Sequence, residues 1–145
     1  MNDPNITWNI YDVYSENYIQ ENDYYLGSYT PKSVINIKLQ VWNNKFGTEE
    51  VKSIDNANLI IYFENAEDNM LLNYCTVTVD NIEKELNLET TKGICPLGQL
   101  SGKVNNGLSD ITNMDNYKEI TITFSNLPDN LKNGLKNIFL DISIS

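Results

Sequence analysis

Apolar and polar side chains alternate with a period of two along most of this chain, and that period predicts extended strands rather than helices. The clearest run is 33–42, where Ile35, Ile37, Leu39 and Val41 face one way and Asn36, Lys38, Gln40 and Trp42 the other. Ile120, Ile122 and Phe124 alternate with Thr121 and Thr123, and Ile138, Leu140, Ile142 and Ile144 mark a last strand. Ile6, Trp8 and Ile10 interleave with Thr7, Asn9 and Tyr11 in a first strand that runs on through Asp12 and Tyr14. Segment 58–65 sets Leu59, Ile61 and Phe63 against Ile60 and Tyr62, apolar on both faces as in a central strand. Segment 71–80 points Cys75, Val77 and Val79 inward, and a short strand at 85–91 does the same with Leu86 and Leu88.

Turn residues punctuate these runs. Leu26-Gly27-Ser28, the stretch from Asn43 to Thr48, Ala66 to Asn69 and Asp80-Asn81 all read as breaks. Residues 92–115 are the least regular part, with Gly93, Pro96, Gly98, Gly102 and Gly107; Asn105-Asn106-Gly107 predicts a tight turn and 99–104 a short strand. Leu127-Pro128 opens one helical turn. Seven or eight strands with little helix imply an all-β, antiparallel β-sandwich of immunoglobulin-like type, with a jelly roll as the alternative. The chain reads as a single domain: 1–32 form an N-terminal strand and a tyrosine-rich arm, and 33–145 the sandwich core.

Composition supports a folded core. Leu, Ile, Val and Phe make up 41 of 145 residues, well above the level at which disorder sets in. The net charge of −10 repels nucleic-acid phosphate and anionic lipid, so neither nucleic acid nor a membrane is expected as a partner. No apolar run approaches the length of a membrane span. The start, Met1-Asn2-Asp3-Pro4, carries no basic or apolar segment, so synthesis in the cytoplasm without a signal peptide is expected. The Asn5-Ile6-Thr7 sequon is then empty. Asparagine occurs 23 times, spread along the chain, and reads as the codon bias of an AT-rich genome.

The chemistry-bearing residues are few. There is no histidine and no arginine, and no Ser-x-x-Lys or nucleophile-elbow motif. No enzyme and no cofactor are expected on that basis. Zinc lacks ligands. The acidic turns at Glu64, Glu67, Asp68 and Asn69 and at Asp80, Asn81 and Glu83 lack the spacing of a calcium loop and read as solvated surface. Cys75 and Cys95 would reach a disulfide only from facing strands, and cytosolic synthesis favours two free thiols.

Aromatics are the remaining signal. Tyr11, Tyr14, Tyr18, Tyr24, Tyr25 and Tyr29 crowd the first thirty residues, and Trp42 and Phe46 flank Asn43-Asn44. Tyrosine and tryptophan concentrate at interfaces, line sugar platforms and also pack across strands. The candidate interface is Tyr18, Tyr24, Tyr25, Tyr29, Trp42 and Phe46.

The runs Val41-Trp42-Asn43-Asn44-Lys45-Phe46-Gly47-Thr48, Asn58-Leu59-Ile60-Ile61-Tyr62-Phe63 and Glu67-Asp68-Asn69-Met70-Leu71-Leu72 resemble small immunoglobulin-like virion structural proteins of tailed bacteriophages. The likeness covers strand pattern and turn chemistry from about residue 33 to the end. It implies a non-enzymatic head-decoration, neck, tail or baseplate subunit located in the virion. Its partners would be other virion proteins and copies of itself. Contacts through the first or last strand, or through an arm at 15–29 that orders on binding, would fit; deleting 1–29 would then leave a folded domain. The competing reading is a carbohydrate-binding or adhesion module, with Trp8, Trp42 or the tyrosines stacking on a cell-surface glycan.

Overall fold

The structure is a computed structural model and describes residues 1–12, 15–21, 23–25, 34–105, 114–127 and 137–144. Its strands are β1 (Ile6–Asp12), β2 (Asn17–Ile19), β3 (Asp23–Tyr25), β4 (Ile35–Asn43), β5 (Ile54–Phe63), β6 (Cys75–Val79), β7 (Ile82–Lys84), β8 (Asn87–Leu88), β9 (Gly93–Leu100), β10 (Tyr117–Phe124) and β11 (Asn137–Ile144). Two 3₁₀ helices, Ala66–Tyr74 and Met114–Asn116, lead into β6 and β10.

The strands form two antiparallel sheets, β2-β1-β4-β10-β6-β7 and β3-β11-β5-β9-β8. The fold is thus the all-β sandwich expected from the alternation. The order decides between the two arrangements anticipated. Number eight strands β3, β4, β5, β6, β7, β9, β10 and β11 in chain order. One sheet then reads first-eighth-third-sixth and the other second-seventh-fourth-fifth. That is the double Greek key of a jelly roll. In an immunoglobulin order the first two strands share a sheet, whereas here β3 pairs with the last strand, β11. Strands β1 and β2 extend one sheet and β8 the other.

The core lies between the sheets. Ile10, Ile37, Leu39, Val41, Val77, Val79, Ile120, Ile122 and Phe124 of the six-stranded sheet meet Leu59, Ile61, Phe63, Cys95, Leu97, Ile138 and Leu140 of the other. Leu71, Leu72 and Leu127 close one side. The inward and outward faces of β1, β4, β5 and β10 follow the sequence period.

Four expectations change. The Ala66–Asn69 turn is the start of a nine-residue 3₁₀ helix, so β6 begins at Cys75 and not at 71. Of the expected 85–91 strand only Asn87–Leu88, β8, is extended; it follows β7, the chain crosses from one sheet to the other between them, and Leu88 is exposed. The irregular stretch holds a full eight-residue strand, β9. Finally, among the described residues β1 and β11 are not outermost strands: β2 pairs with Ile10, Tyr11 and Asp12 of β1, and β3 with Asn137, Ile138 and Phe139 of β11. The outermost described strands are β2, β3, β7 and β8, each of two or three residues. Gly107 of the anticipated tight turn and Pro128 of the anticipated helical turn lie outside the described residues.

Candidate functional site

The outer face of the six-stranded sheet carries the aromatic side chains. Trp42 on β4 and Tyr117 on β10 are register partners, and their rings stack with centroids 4.2 Å apart at 17°. Both alternate away from the core, yet Trp42 is only 2% exposed. Outer-face neighbours and the turn after β4 cover it. Lys45 in that turn holds its ammonium 5.3 Å from the Trp42 ring and 5.3 Å from the Phe46 ring. With the Asn9 amide oriented so that Nδ2 donates to the Trp8 carbonyl (3.3 Å), Oδ1 accepts from Lys45 Nζ at 2.6 Å. Burial lowers the Lys45 pKa.

A hydrogen-bond relay leaves this stack. Trp42 Nε1 donates to Gln40 Oε1 (3.2 Å), and Gln40 Nε2 donates to Glu119 Oε1 (3.3 Å). Gln40 and Glu119 are themselves register partners. Across β1, Tyr11 and Tyr18 pair in register and pack edge to face at 5.5 Å. Burial pushes the Tyr18 phenol up, and Glu119, Tyr11 and Tyr117 add to the rise. Tyr117 is raised by burial, then by Glu119 and Asp80. The rim is aromatic where it is exposed: Tyr18 is 42% exposed and Phe46 37%.

An asparagine framework holds the end of the sandwich beside this face. Asn44, in the left-handed region at φ 57°, donates Nδ2 to the carbonyls of Glu49 (2.9 Å), Gly102 (2.9 Å) and Lys103 (3.1 Å). Asn43 donates to the Lys52 and Leu100 carbonyls and accepts from Asn5 N–H. Asn116 donates to the Asn43 and Lys103 carbonyls, and Asn105 to that of Lys45. All four are buried. They fix the turn that carries Lys45 and Phe46 to β5, to the segment after β9 and to the start of β10. Reading asparagine as codon bias alone hid this role. The signal that could have found it is Asn43-Asn44 closing an apolar strand at a turn, where an amide satisfies loop carbonyls that have no ladder partner.

The anticipated interface residues therefore part company. Tyr18 and Phe46 are at the surface of the outer face. Trp42 is a correction: it is buried and supports the face without presenting a surface. Tyr24 and Tyr25 belong to β3, on the other sheet, and their side chains, like all of Tyr29, lie outside the described residues. For sugar stacking, Trp8 faces the core and Trp42 is covered, so neither tryptophan offers a ring face. Sequence reasoning missed Tyr117, Gln40 and Glu119, which join the site only through cross-strand register.

The acidic turns serve the fold. Asn69 Oδ1 accepts from Phe63 N–H (2.8 Å) and Nδ2 donates to the Thr91 carbonyl. Asp80 accepts from Glu119 N–H (3.0 Å) and pairs with Lys118 at 3.7 Å. Cys75 and Cys95 are free thiols facing inward from opposite sheets.

No protein-family model matches the chain, and no curated protein sequence matches it. Among solved structures, the chain is similar to AvmM, described as catalysing macrocyclization in alchivemycin A biosynthesis. The match has 16% identity and a TM-score of 0.41, and it covers 92% of this chain and 79% of that one. The expectation that this chain is not an enzyme is withdrawn. That expectation rested on missing histidine and motifs, and catalysis on a β-scaffold does not require either. At this TM-score the likeness assigns no activity.

Proposed function

We propose that this chain is a structural or accessory subunit of a phage particle, in head decoration, neck, tail or baseplate. It acts by protein–protein contact through the outer face of the six-stranded sheet, with other particle proteins or further copies of the chain as partners. The observation that carries this reading is the Trp42–Tyr117 stack, held by the Gln40–Glu119 relay and bordered by exposed Tyr18 and Phe46. Protein contacts draw most of their energy from a few rigid aromatic anchors, because an ordered ring loses little entropy on docking. A rim of large apolar side chains over a polar sheet face supplies such anchors. The sequence resemblance supplies the particle. The jelly-roll order adds a fold-level analogy, since capsid and lectin domains use it.

The test is co-purification. Particles from the source culture are banded on a density gradient and the chain is quantified by mass spectrometry. A fixed number of copies per particle, lost on Phe46→Ala with Tyr18→Ala, supports the reading. Absence of the chain from banded particles rejects it.

A further inference from the structure

The outer face holds a carboxylate that no lysine among the described residues pairs with. Glu119 is exposed, and Gln40 Nε2 donates to it at 3.3 Å. Lys118, one residue away, pairs with Asp80, Lys45 lies with Trp42, Phe46 and Asn9, and Lys38, two residues from Gln40 on the same face of β4, makes no ion pair with Glu119. The relay from Trp42 Nε1 through Gln40 orients Oε1 of this carboxylate from a buried, stacked ring. Tyr11 packs against Tyr18 on this face. Burial, and after it Glu119, raises the Tyr18 and Tyr117 phenols, so these remain neutral donors in a negative field.

We infer that the cluster of Tyr11, Tyr18, Tyr117 and Glu119 receives an arginine side chain of the protein partner. The inference deepens the contact reading and rests on it. A guanidinium matches this surface in three ways. Its planar fork takes two acceptor positions of a pre-oriented carboxylate. Its face is attracted to the quadrupole of an exposed tyrosine ring such as Tyr18. Its charge answers a negative site on a chain of net charge −10. A sugar would use the ring and the carboxylate but gain nothing from the uncompensated charge, and that difference favours the cation. The chain has no arginine of its own, so the guanidinium comes from a different protein and not from a second copy.

The probes are N-acetyl-arginine methylamide, its uncharged citrulline counterpart and methyl glucopyranoside, each titrated into the full-length ¹⁵N-labelled chain and followed by NMR. The arginine probe is expected to shift Glu119, Tyr18 and the Gln40 side-chain amide with millimolar affinity. Glu119→Gln and Tyr18→Ala should each weaken it about three- to fivefold, as should 0.5 M salt. Both substituted residues are exposed, and unchanged chemical shifts in the core confirm that the variants fold. Equal binding of citrulline, no binding of arginine, or glucoside shifts on the same residues that Glu119→Gln leaves intact would overturn the inference. Failure here alongside normal loss of particle association in the Phe46→Ala, Tyr18→Ala variant would leave the contact reading standing.

Discussion

Trp42 and Tyr117 stack at 4.2 Å on the solvent side of a sheet whose other side builds the core. The pair is a second, smaller centre of burial, and it couples the turn after β4 to the start of β10. Trp42→Ala should cost about 3–5 kcal/mol, in the range for truncating a buried aromatic. Trp42→Phe keeps a ring in the stack and loses the Nε1 bond to Gln40, at about 1 kcal/mol. Urea unfolding of the two variants against the parent measures both, and equal losses would show that the relay matters more than the stack.

Asn44 combines a left-handed backbone with one amide shared among three carbonyls. Asn44→Ala leaves those carbonyls short of a donor and places a Cβ residue without a local hydrogen bond at positive φ, for a loss of about 2–4 kcal/mol. Asn44→Gly should recover about 1 kcal/mol of that by relieving the backbone. Asn44→Asp should be worst, because a buried carboxylate facing three carbonyl oxygens can donate nothing when ionised. The order Gly, Ala, Asp in urea midpoints is the expected result. The neighbouring Gly102 is constrained in the same framework: an added Cβ would collide with the Val51 carbonyl, so Gly102→Ala is also destabilising.

Removing residues 1–29 deletes β1, which lies between β2 and β4 and places Trp8 and Ile10 in the core. It also deletes β2 and β3, which close one edge of each sheet. The truncated chain would expose the β4 and β11 edges and their core faces. It should be insoluble, or lack the dispersed NMR spectrum of the full chain. A well-folded monomer of 30–145 would contradict the interior placement of β1.

The strands that were legible in the sequence are those where one face is purely apolar. From Ile35 to Val41 in β4 and from Ile120 to Phe124 in β10 the core face is Ile, Leu, Val or Phe at every second position, and period two left no second reading. Strand β9 was not legible because its glycines and proline look like breaks. In the structure Gly93 is where Leu86 packs closely, Pro96 pairs with Asn58 next to a register shift, and Gly98 sits at φ 84° beside another. Pro96 and Gly98 thus mark irregularities within the strand and not its end, and Gly93 is its first residue. The helix at Ala66–Tyr74 was hidden because Leu71 and Leu72 look like the start of the following strand. The site itself was half legible: Tyr18 and Phe46 stand out as exposed aromatics in a polar context, but Glu119 and Gln40 meet only through a pairing 79 residues apart in sequence.

Cys75 gives a prediction in pH. It faces the interior from β6, its thiol donates to the Leu72 carbonyl at 3.4 Å, and it lines a shallow cleft with Leu72, Leu86 and Leu88. Burial, with a smaller contribution from Cys95, pushes its pKa up to about 12 from 9.0. The folded state therefore holds a proton that the unfolded chain releases near pH 9, so the unfolded state binds fewer protons and stability falls with rising pH. This contribution is intact below about pH 9 and is lost as pH rises from about 9 to about 12. The Tyr18, Tyr117 and Cys95 shifts act in the same direction, and the lowered Lys45 acts in the opposite one. The difference between the parent and Cys75→Ala isolates the thiol: the two urea midpoints should run parallel up to pH 8.5 and converge above it. Alkylation by iodoacetamide should agree, with a rate that keeps rising past pH 10 where a free cysteine has levelled off. A rate that saturates near pH 9 would mean that the thiol ionises as if in water, and the buried placement of Cys75 would be wrong.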